Sequence, residues 1–296
     1  DRSTMNKVRL MTVVATVVSA LASGGMIESP ARGVGRVFPL EKKVVRDEVT
    51  GVEMTVLTDG THSDARVYHT HPQWTADGAW IVFRSSARGG EGEGQQAFAV
   101  HEASGEIVQL TAGAGNKVGA VHLSRREMKL WYLRHAPLPA GVTPPPTRPD
   151  DAEITQVVEL DLGRLLADAK AGSVEGTPGG YEKIVATLPV GLHEAGGFGV
   201  DASEKVAYLG VRGLGVGDHL PSGVTPYPKP EGARMGAGPG GIRKIDLVSG
   251  EVSVVVSKVQ AGLYMPVRAA SSMAWPLSLL GANQRLLTQA LNMPSA

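Results

Sequence analysis

The chain has 296 residues with 29 basic and 29 acidic side chains, so its formal net charge is +0 at pH 7. This balance excludes a strong overall field for nucleic acid or for an anionic membrane, and a polyanionic partner would need a local site. The absence of cysteine excludes disulfide bonds, thiolate zinc sites and a cysteine nucleophile, and leaves an oxidising compartment permissible.

The first predicted element is a signal peptide over residues 1–22. Lys7 and Arg9 form a short basic start, residues 10–18 are apolar, and residues 20–22 read Ala-Leu-Ala, the small-residue pattern of a cleavage site. A buried apolar strand or helix is the alternative. The order of these features favours export to the periplasm or to the medium, with no membrane segment left after cleavage.

Two short patterns recur along the chain, and together they predict four strands per repeat. A short strand, a polar turn and an apolar strand occur at 72–85, 121–134 and 198–211. A polar lead, a Ser-Gly or Thr-Gly turn and an alternating strand occur at 46–59, 101–112 and 246–257. Glycine can take the positive φ that such a hairpin turn needs. Four antiparallel strands per repeat form a propeller blade, so the predicted fold is an all-β β-propeller.

Three repeats are complete, and the segments around them have other patterns. A linker at 23–43 and a lone strand at 44–58 are predicted to precede repeats at 68–111, 117–188 and 195–257, which gives a partial propeller over 44–257. Propellers typically have four to eight blades, so three do not close a ring. Residues 258–296 have a helical pattern, which we interpret as a divergent tail produced by truncation or a frame shift. A native helix that covers an open sheet edge is the alternative.

Three segments resemble the oligogalacturonate lyase family of β-propeller polysaccharide lyases: HTHPQWTADGAWIVF, AFAVHEASGEIVQLT and GNKVGAVHLSRREMKLWYL. The resemblance covers about 44–257. It implies a propeller that is seven-bladed in the family, with about three blades present here. It also implies a manganese ion held by histidines and a glutamine, a further histidine as base, and β-elimination on oligogalacturonides or related uronic-acid oligosaccharides.

The sequence departs from the family's pattern in the placement of its histidines. The family's HxHP segment lies in the last blade, whereas His69, His71 and Pro72 lie in the first repeat, and residues 65–67 lack the glutamine that precedes the family's segment. The segment expected to contain the family's base follows the third repeat and is not found. Lyase activity is therefore open, and a non-catalytic TolB-like binding propeller in the periplasm or the propeller domain of a serine peptidase are the alternatives.

Five residues are candidates for a site. His69 and His71 are predicted to point to the same side of a strand, where both would bind a divalent metal or a uronate carboxylate, or only line a polar channel. Arg84 ends an apolar strand, either as a bidentate partner of the substrate carboxylate or as an ordinary surface residue. His193 is the predicted catalytic base and Glu194 a substrate-binding residue, and the three histidines are expected to converge on one channel.

Overall fold

The computed structural model describes residues 33–143, 152–174, 180–212 and 240–258. Within these ranges every strand pairing is antiparallel. The expected all-β fold of antiparallel sheets is therefore confirmed. The predicted signal peptide, and the predicted tail apart from residue 258, lie outside the described residues.

The described chain forms strands and one helix in the following order. They are β1 (Val37–Phe38), β2 (Lys43–Arg46), β3 (Glu53–Val56), β4 (Asp64–Arg66), β5 (Trp80–Ser85), β6 (Gln96–His101), β7 (Ile107–Gln109), β8 (Asn116–Leu123), β9 (Lys129–Pro137), β10 (Glu153–Asp161), α1 (Leu162–Ala171), β11 (Glu182–Thr187), β12 (His193–Val200), β13 (Val206–Arg212), β14 (Gly240–Asp246) and β15 (Val252–Lys258).

Three of the sheets are meanders, in which strands that follow one another in the chain are also neighbours. The first sheet has the order β1-β7-β6-β5-β4, the second β11-β10-β9-β8 and the third β12-β13-β14-β15. Short turns join several of these neighbours, such as β6 to β7 and β14 to β15, and antiparallel neighbours need no long crossover. The second and third sheets have the four strands that their repeats predict, whereas in the first sheet the outer strand β4 lies before the predicted repeat at 68–111 and Trp74 makes only an isolated bridge to Ile81.

The N-terminal segment differs from its predicted form. Strand β1, inside the predicted linker, adds a fifth strand to the first sheet by pairing with β7. Strands β2 and β3 form a two-stranded hairpin where a lone strand was expected over 44–58, so that prediction was wrong. The reversal comes from the turn after β2, where the Asp47 carboxylate accepts hydrogen bonds from both the backbone N and the hydroxyl of Thr50, at 2.6 Å each.

Apolar side chains fill the spaces between successive sheets. Val82 of the first sheet and Leu130 of the second belong to one fully buried cluster. Trp131 of the second sheet packs with Phe198 and Ile245 of the third in another. Leu130 and Trp131 are adjacent in β9, and successive strand residues point to opposite faces, so this strand contributes to both cores. The first strands of the second and third sheets, β8 and β12, consequently lie in contact.

Helix α1 is inserted between the last two strands of the second sheet. It begins at Asp161, whose side chain accepts a hydrogen bond from the backbone N of Arg164, and it buries Leu162, Leu165 and Leu166. In the described part of the chain no helix is both long enough and apolar enough to cross a membrane.

The predicted Ser-Gly turns are present. At the glycine of the third repeat, both the positive φ and a close neighbouring backbone disfavour a side chain. Gly250 has φ 79°, and a Cβ built there would lie 2.6 Å from the backbone oxygen of Val185 in the second sheet. The turn before β15 therefore packs directly on the neighbouring sheet.

We expect Gly250→Ala to lower the free energy of unfolding by about 3 kcal/mol, because positive φ and close approach both disfavour a Cβ. Gly78→Ala is the matched control: Gly78 has φ 71°, and its Cβ would meet nothing within 4 Å. This control is expected to cost about 1–2 kcal/mol. Urea unfolding of both variants gives the difference, and equal losses would show that the contact with the second sheet contributes nothing.

Candidate functional site

A cleft of about 790 Å³ lies where the ends of the three sheets meet. Residues 115–120, at the start of the first strand of the second sheet, form part of its lining. Its polar residues come from all three sheets and the turns beside them: Tyr68, His71, Arg84, Glu93, Gln95, Asn116, Lys117 and Glu194. A concave surface with a few convergent polar groups is the usual form of a small-molecule site.

The segment that contains the two predicted histidines is a turn. The backbone N of His71 donates to the oxygen of Tyr68 at 2.9 Å, which closes a turn over residues 68–71. The strand geometry predicted for His69 and His71 is therefore wrong. His71 lines the cleft, whereas His69 is exposed with its ring 4.6 Å from that of Tyr68.

The His71 ring is oriented by the backbone of β8. Its Nδ1 lies 2.8 Å from the carbonyl oxygen of Val121. A carbonyl only accepts hydrogen bonds, so Nδ1 donates the proton, and in the neutral imidazole the lone pair is then on Nε2. The ring of His122, a buried residue of the same strand, lies 5.2 Å away.

Arg84 is held in a fixed orientation by neutral groups. Its Nε donates to the backbone oxygen of Arg66 at 3.1 Å, and its Nη1 donates to Gln95 Oε1 at 2.9 Å. Gly119 leaves space beside it, because a Cβ there would lie 3.2 Å from Nη1. Among the described residues no carboxylate forms an ion pair with Arg84. A guanidinium oriented in this way can accept a carboxylate from a ligand.

The carboxylate of Glu194 faces the cleft and is paired with His135. His135 Nε2 hydrogen-bonds Glu194 Oε2, and its Nδ1 lies 2.9 Å from Oε2 of Glu153. The hydrogen bond with Glu194 raises the pKa of His135, although burial opposes the shift. Burial alone would raise the pKa of Glu194, but its hydrogen bond with His135 and the His135 charge lower it.

Lys117 adds a second cation to the cleft wall. Its side chain is exposed, and its charge contributes to lowering the pKa values of His135 and Glu194. Within the described ranges neither Lys117 nor Arg84 has a carboxylate at ion-pair distance, while Glu194 is compensated by His135. Glu93 is the other acidic residue of the lining, and it accepts a hydrogen bond from the backbone N of Gly90.

His193 does not share the cleft with His71. His193 is 3% exposed and is not part of the cleft lining, whereas the adjacent Glu194 is part of that lining. Adjacent residues of a strand point to opposite faces, so the exposure of Glu194 to the cleft turns His193 away. The expected convergence of three histidines was therefore wrong, and only His71 of the three lines this surface.

The family's manganese does not fit the predicted histidine pair. In the described chain one group of three acidic or histidine residues lies close enough to hold a cation, and it consists of Glu41, Asp59 and His62 rather than His69 or His71. Even there, both Glu41 carboxylate oxygens accept hydrogen bonds from Arg88, at 2.6 and 2.7 Å. A cation would have to compete with that guanidinium.

The sequence matches no protein-family model and no curated protein. The structure is similar to an oligogalacturonate lyase in complex with manganese, with a TM-score of 0.52 and 18% identity over 78% of this chain and 50% of that one. The oligogalacturonate lyase of Vibrio parahaemolyticus gives a TM-score of 0.54, 18% identity and the same two coverages. TolB from Acinetobacter baumannii, at 13% identity over 72% of this chain and 37% of its own, gives a TM-score of 0.34, too low to establish a common fold.

The similarity to the two lyases establishes the fold. The resemblance to oligogalacturonate lyases that the sequence predicts is confirmed at that level, and the chain spans about half the length of these two structures.

Proposed function

We propose that this chain is an oligogalacturonate lyase-like protein that binds uronic-acid oligosaccharides in the cleft and cleaves them by β-elimination. The three meanders are, in this proposal, blades of a propeller that has seven blades in the family. The observation that supports the proposal most is Arg84, which lines the cleft in a fixed orientation without a carboxylate partner among the described residues.

The chemistry requires that the charge of the substrate carboxylate be neutralised. A base removes the proton on the carbon next to that carboxylate, the electrons of this bond form a carbon–carbon double bond, and the glycosidic oxygen leaves the adjacent carbon and takes up a proton. Arg84, with Lys117 also in the cleft lining, pairs with the carboxylate and so makes the proton more acidic. His71 is the proposed base through Nε2, since Nδ1 donates to Val121.

The remaining predicted residues have more limited roles. Glu194 lines the cleft and accepts hydrogen bonds from sugar hydroxyls, while His69 is exposed next to Tyr68, which also lines the cleft. Binding of a divalent metal belongs to the proposal, because one of the lyases of similar structure is in complex with manganese. Calorimetric titration of the metal-free protein tests this binding, and no step of the mechanism above depends on the metal. Export to the periplasm or the medium also belongs to the proposal and is based on the predicted signal peptide.

A binding protein without turnover is the second candidate. The cleft contains one imidazole of the three predicted, and no set of three metal ligands lies there in the described part of the chain. Such a cleft suffices to bind a uronide.

We expect Arg84→Met to weaken trigalacturonate binding by about 10–100-fold, because a charge-assisted hydrogen bond pair is lost. Arg66→Met is the control, since it removes an exposed guanidinium but keeps the backbone oxygen that Arg84 uses. Calorimetry measures binding, and ultraviolet absorbance of the unsaturated product measures elimination. Binding without product supports the second candidate, while equal affinities of the two variants, or no binding by the unaltered protein, would refute the proposed site.

A further inference from the structure

We propose that His135 is a specificity-determining residue, which keeps the cleft receptive to a carboxylate by holding Glu194 in an ion pair. The consequence is that affinity for an anionic sugar falls when His135 loses its proton. This role rests on the proposed function, and His135 is then the group that controls the preference of the cleft for an anionic sugar.

The hydrogen bonds of His135 define its charge. Both of its ring nitrogens face carboxylate oxygens, from Glu153 on one side and Glu194 on the other. Ionised carboxylates only accept hydrogen bonds, so both nitrogens must donate, and an imidazole with two N–H groups is the cation. The side chain is 9% exposed, compared with 20% for Glu194 and 47% for Glu153, which limits screening by water.

His135 is the cation that hydrogen-bonds the Glu194 carboxylate, and other groups are packed around the pair. From β13 comes Arg212, whose Nε donates to the backbone oxygen of Glu194 at 3.3 Å. From β10 come Glu153 and the hydroxyl of Thr155, which lies 3.5 Å from Glu194 Oε2. From β8 comes Lys117, which is exposed and acts on the pair only through its charge. The backbone N of His135 donates to the oxygen of Gly115 at 2.8 Å, which anchors the strand position of the ring. Without the imidazolium, the cleft would contain a buried carboxylate that repels a uronate.

The direction of the pH effect follows from the same contacts. The hydrogen bond with Glu194 raises the pKa of His135 above its ordinary 6.5. A raised pKa means that the stabilisation is complete below the unfolded value and is lost as the pH rises through the folded value. Affinity for a carboxylate should therefore be full below about pH 6.5 and fall as the pH rises through the raised pKa of His135.

Calorimetry with trigalacturonate and with neutral galactotriose separates the contribution of the ligand's charge to affinity from the contribution of its sugar rings. We expect His135→Gln to bind trigalacturonate about fivefold more weakly than the unaltered protein below about pH 6.5, with galactotriose binding unchanged. The unaltered protein should show the same loss at alkaline pH. His135→Lys keeps a cation and should not show that decline. An equal loss for both sugars would mean that His135 only supports the fold, and a flat pH profile of the unaltered protein would overturn the inference.

Nuclear magnetic resonance of the His135 ring nitrogens tests the charge without any ligand. At pH 6.5 most rings are expected to have two protonated nitrogens, and a mostly neutral ring at that pH would overturn the inference whatever the ligand does. If the ring is cationic but trigalacturonate does not bind, the proposed function fails. Citrate, a polycarboxylate without a sugar, then tests the pH dependence alone, and a pH-independent citrate affinity or no citrate binding would overturn the role of His135.

Discussion

Replacing Arg88 with methionine is expected to lower the free energy of unfolding by about 3–5 kcal/mol at neutral pH. The Arg88 side chain is 0% exposed and hydrogen-bonds the carboxylates of Glu41 and Asp64, each 10% exposed, through contacts of 2.6–2.8 Å. Without the guanidinium, two carboxylates would remain out of water with no cation between them. Removal of one partner from a buried ion pair is costly for this reason.

The position of Arg88 explains why the loss should affect the whole N-terminal segment. Glu41 precedes the β2–β3 hairpin, Asp64 begins β4, and Arg88 follows β5. The guanidinium also lies 5.7 Å from the ring centres of both Phe38 and Phe83. Arg88 thus joins the segment before the repeats to the first sheet, through charge and through its contact with two aromatic rings.

The pH dependence of the same variant checks the assignment. The hydrogen bonds from Arg88 lower the pKa of Glu41 below its ordinary 4.5. A lowered carboxyl pKa contributes stability that is present above the unfolded value and is lost as the pH falls through the folded value. In Arg88→Met this contribution is missing, so the stability difference from the unaltered protein should shrink below about pH 4.

Two controls distinguish the ion pairs from the aromatic contact. Arg36→Met removes another guanidinium, 4.3 Å from the Phe38 ring, and is expected to cost under about 1 kcal/mol. The triple variant Glu41→Gln, Asp64→Asn, Arg88→Met removes all three charges and should recover most of the loss. Urea unfolding measures each variant. A triple variant as unstable as Arg88→Met would show that packing, rather than charge, accounts for the effect.

The sheets were predictable because their determinants are local in the sequence. Alternating residues and a glycine in the connecting turn place β14 and β15 correctly, since Gly250 has the positive φ that the pattern requires. The Thr-Gly turn at 50–51 and the strand after it were predicted, whereas β2 was missed because the pattern counts the residues before the turn only as a polar lead. Here the Asp47–Thr50 hydrogen bonds, rather than the strand pattern, determine the outcome.

The site was less predictable because its geometry depends on contacts between sheets. Residue types identified Arg84, His71 and Glu194, which all line the cleft, but the grouping of these residues with His193 ignored the alternation of strand residues. His135 has no acidic residue or second histidine at ligand spacing, and its partners come from β10 and β12. Only the register and the packing of the sheets bring those carboxylates to its ring.

Among the described residues, Arg243 has a buried guanidinium whose positive charge is compensated least by its neighbours. It lies in β14, is 1% exposed, and is followed two residues later on the same face by the fully buried Ile245. Its neighbours across the sheet are Leu209 and Val254, and in the described ranges neither Nη1 nor Nη2 has a hydrogen-bond acceptor. Burial lowers the pKa of Arg243, because removal from water disfavours the charged form.

We expect Arg243→Met to raise the free energy of unfolding by about 1–4 kcal/mol, because a methionine of similar length fills the site without a buried charge. Lys244→Met is the matched control: it removes the adjacent, exposed cation on the opposite face and should change stability by less than about 0.5 kcal/mol. Urea unfolding at neutral pH compares the two variants with the unaltered protein. A loss of stability in Arg243→Met would refute the view that the charge of Arg243 destabilises the fold.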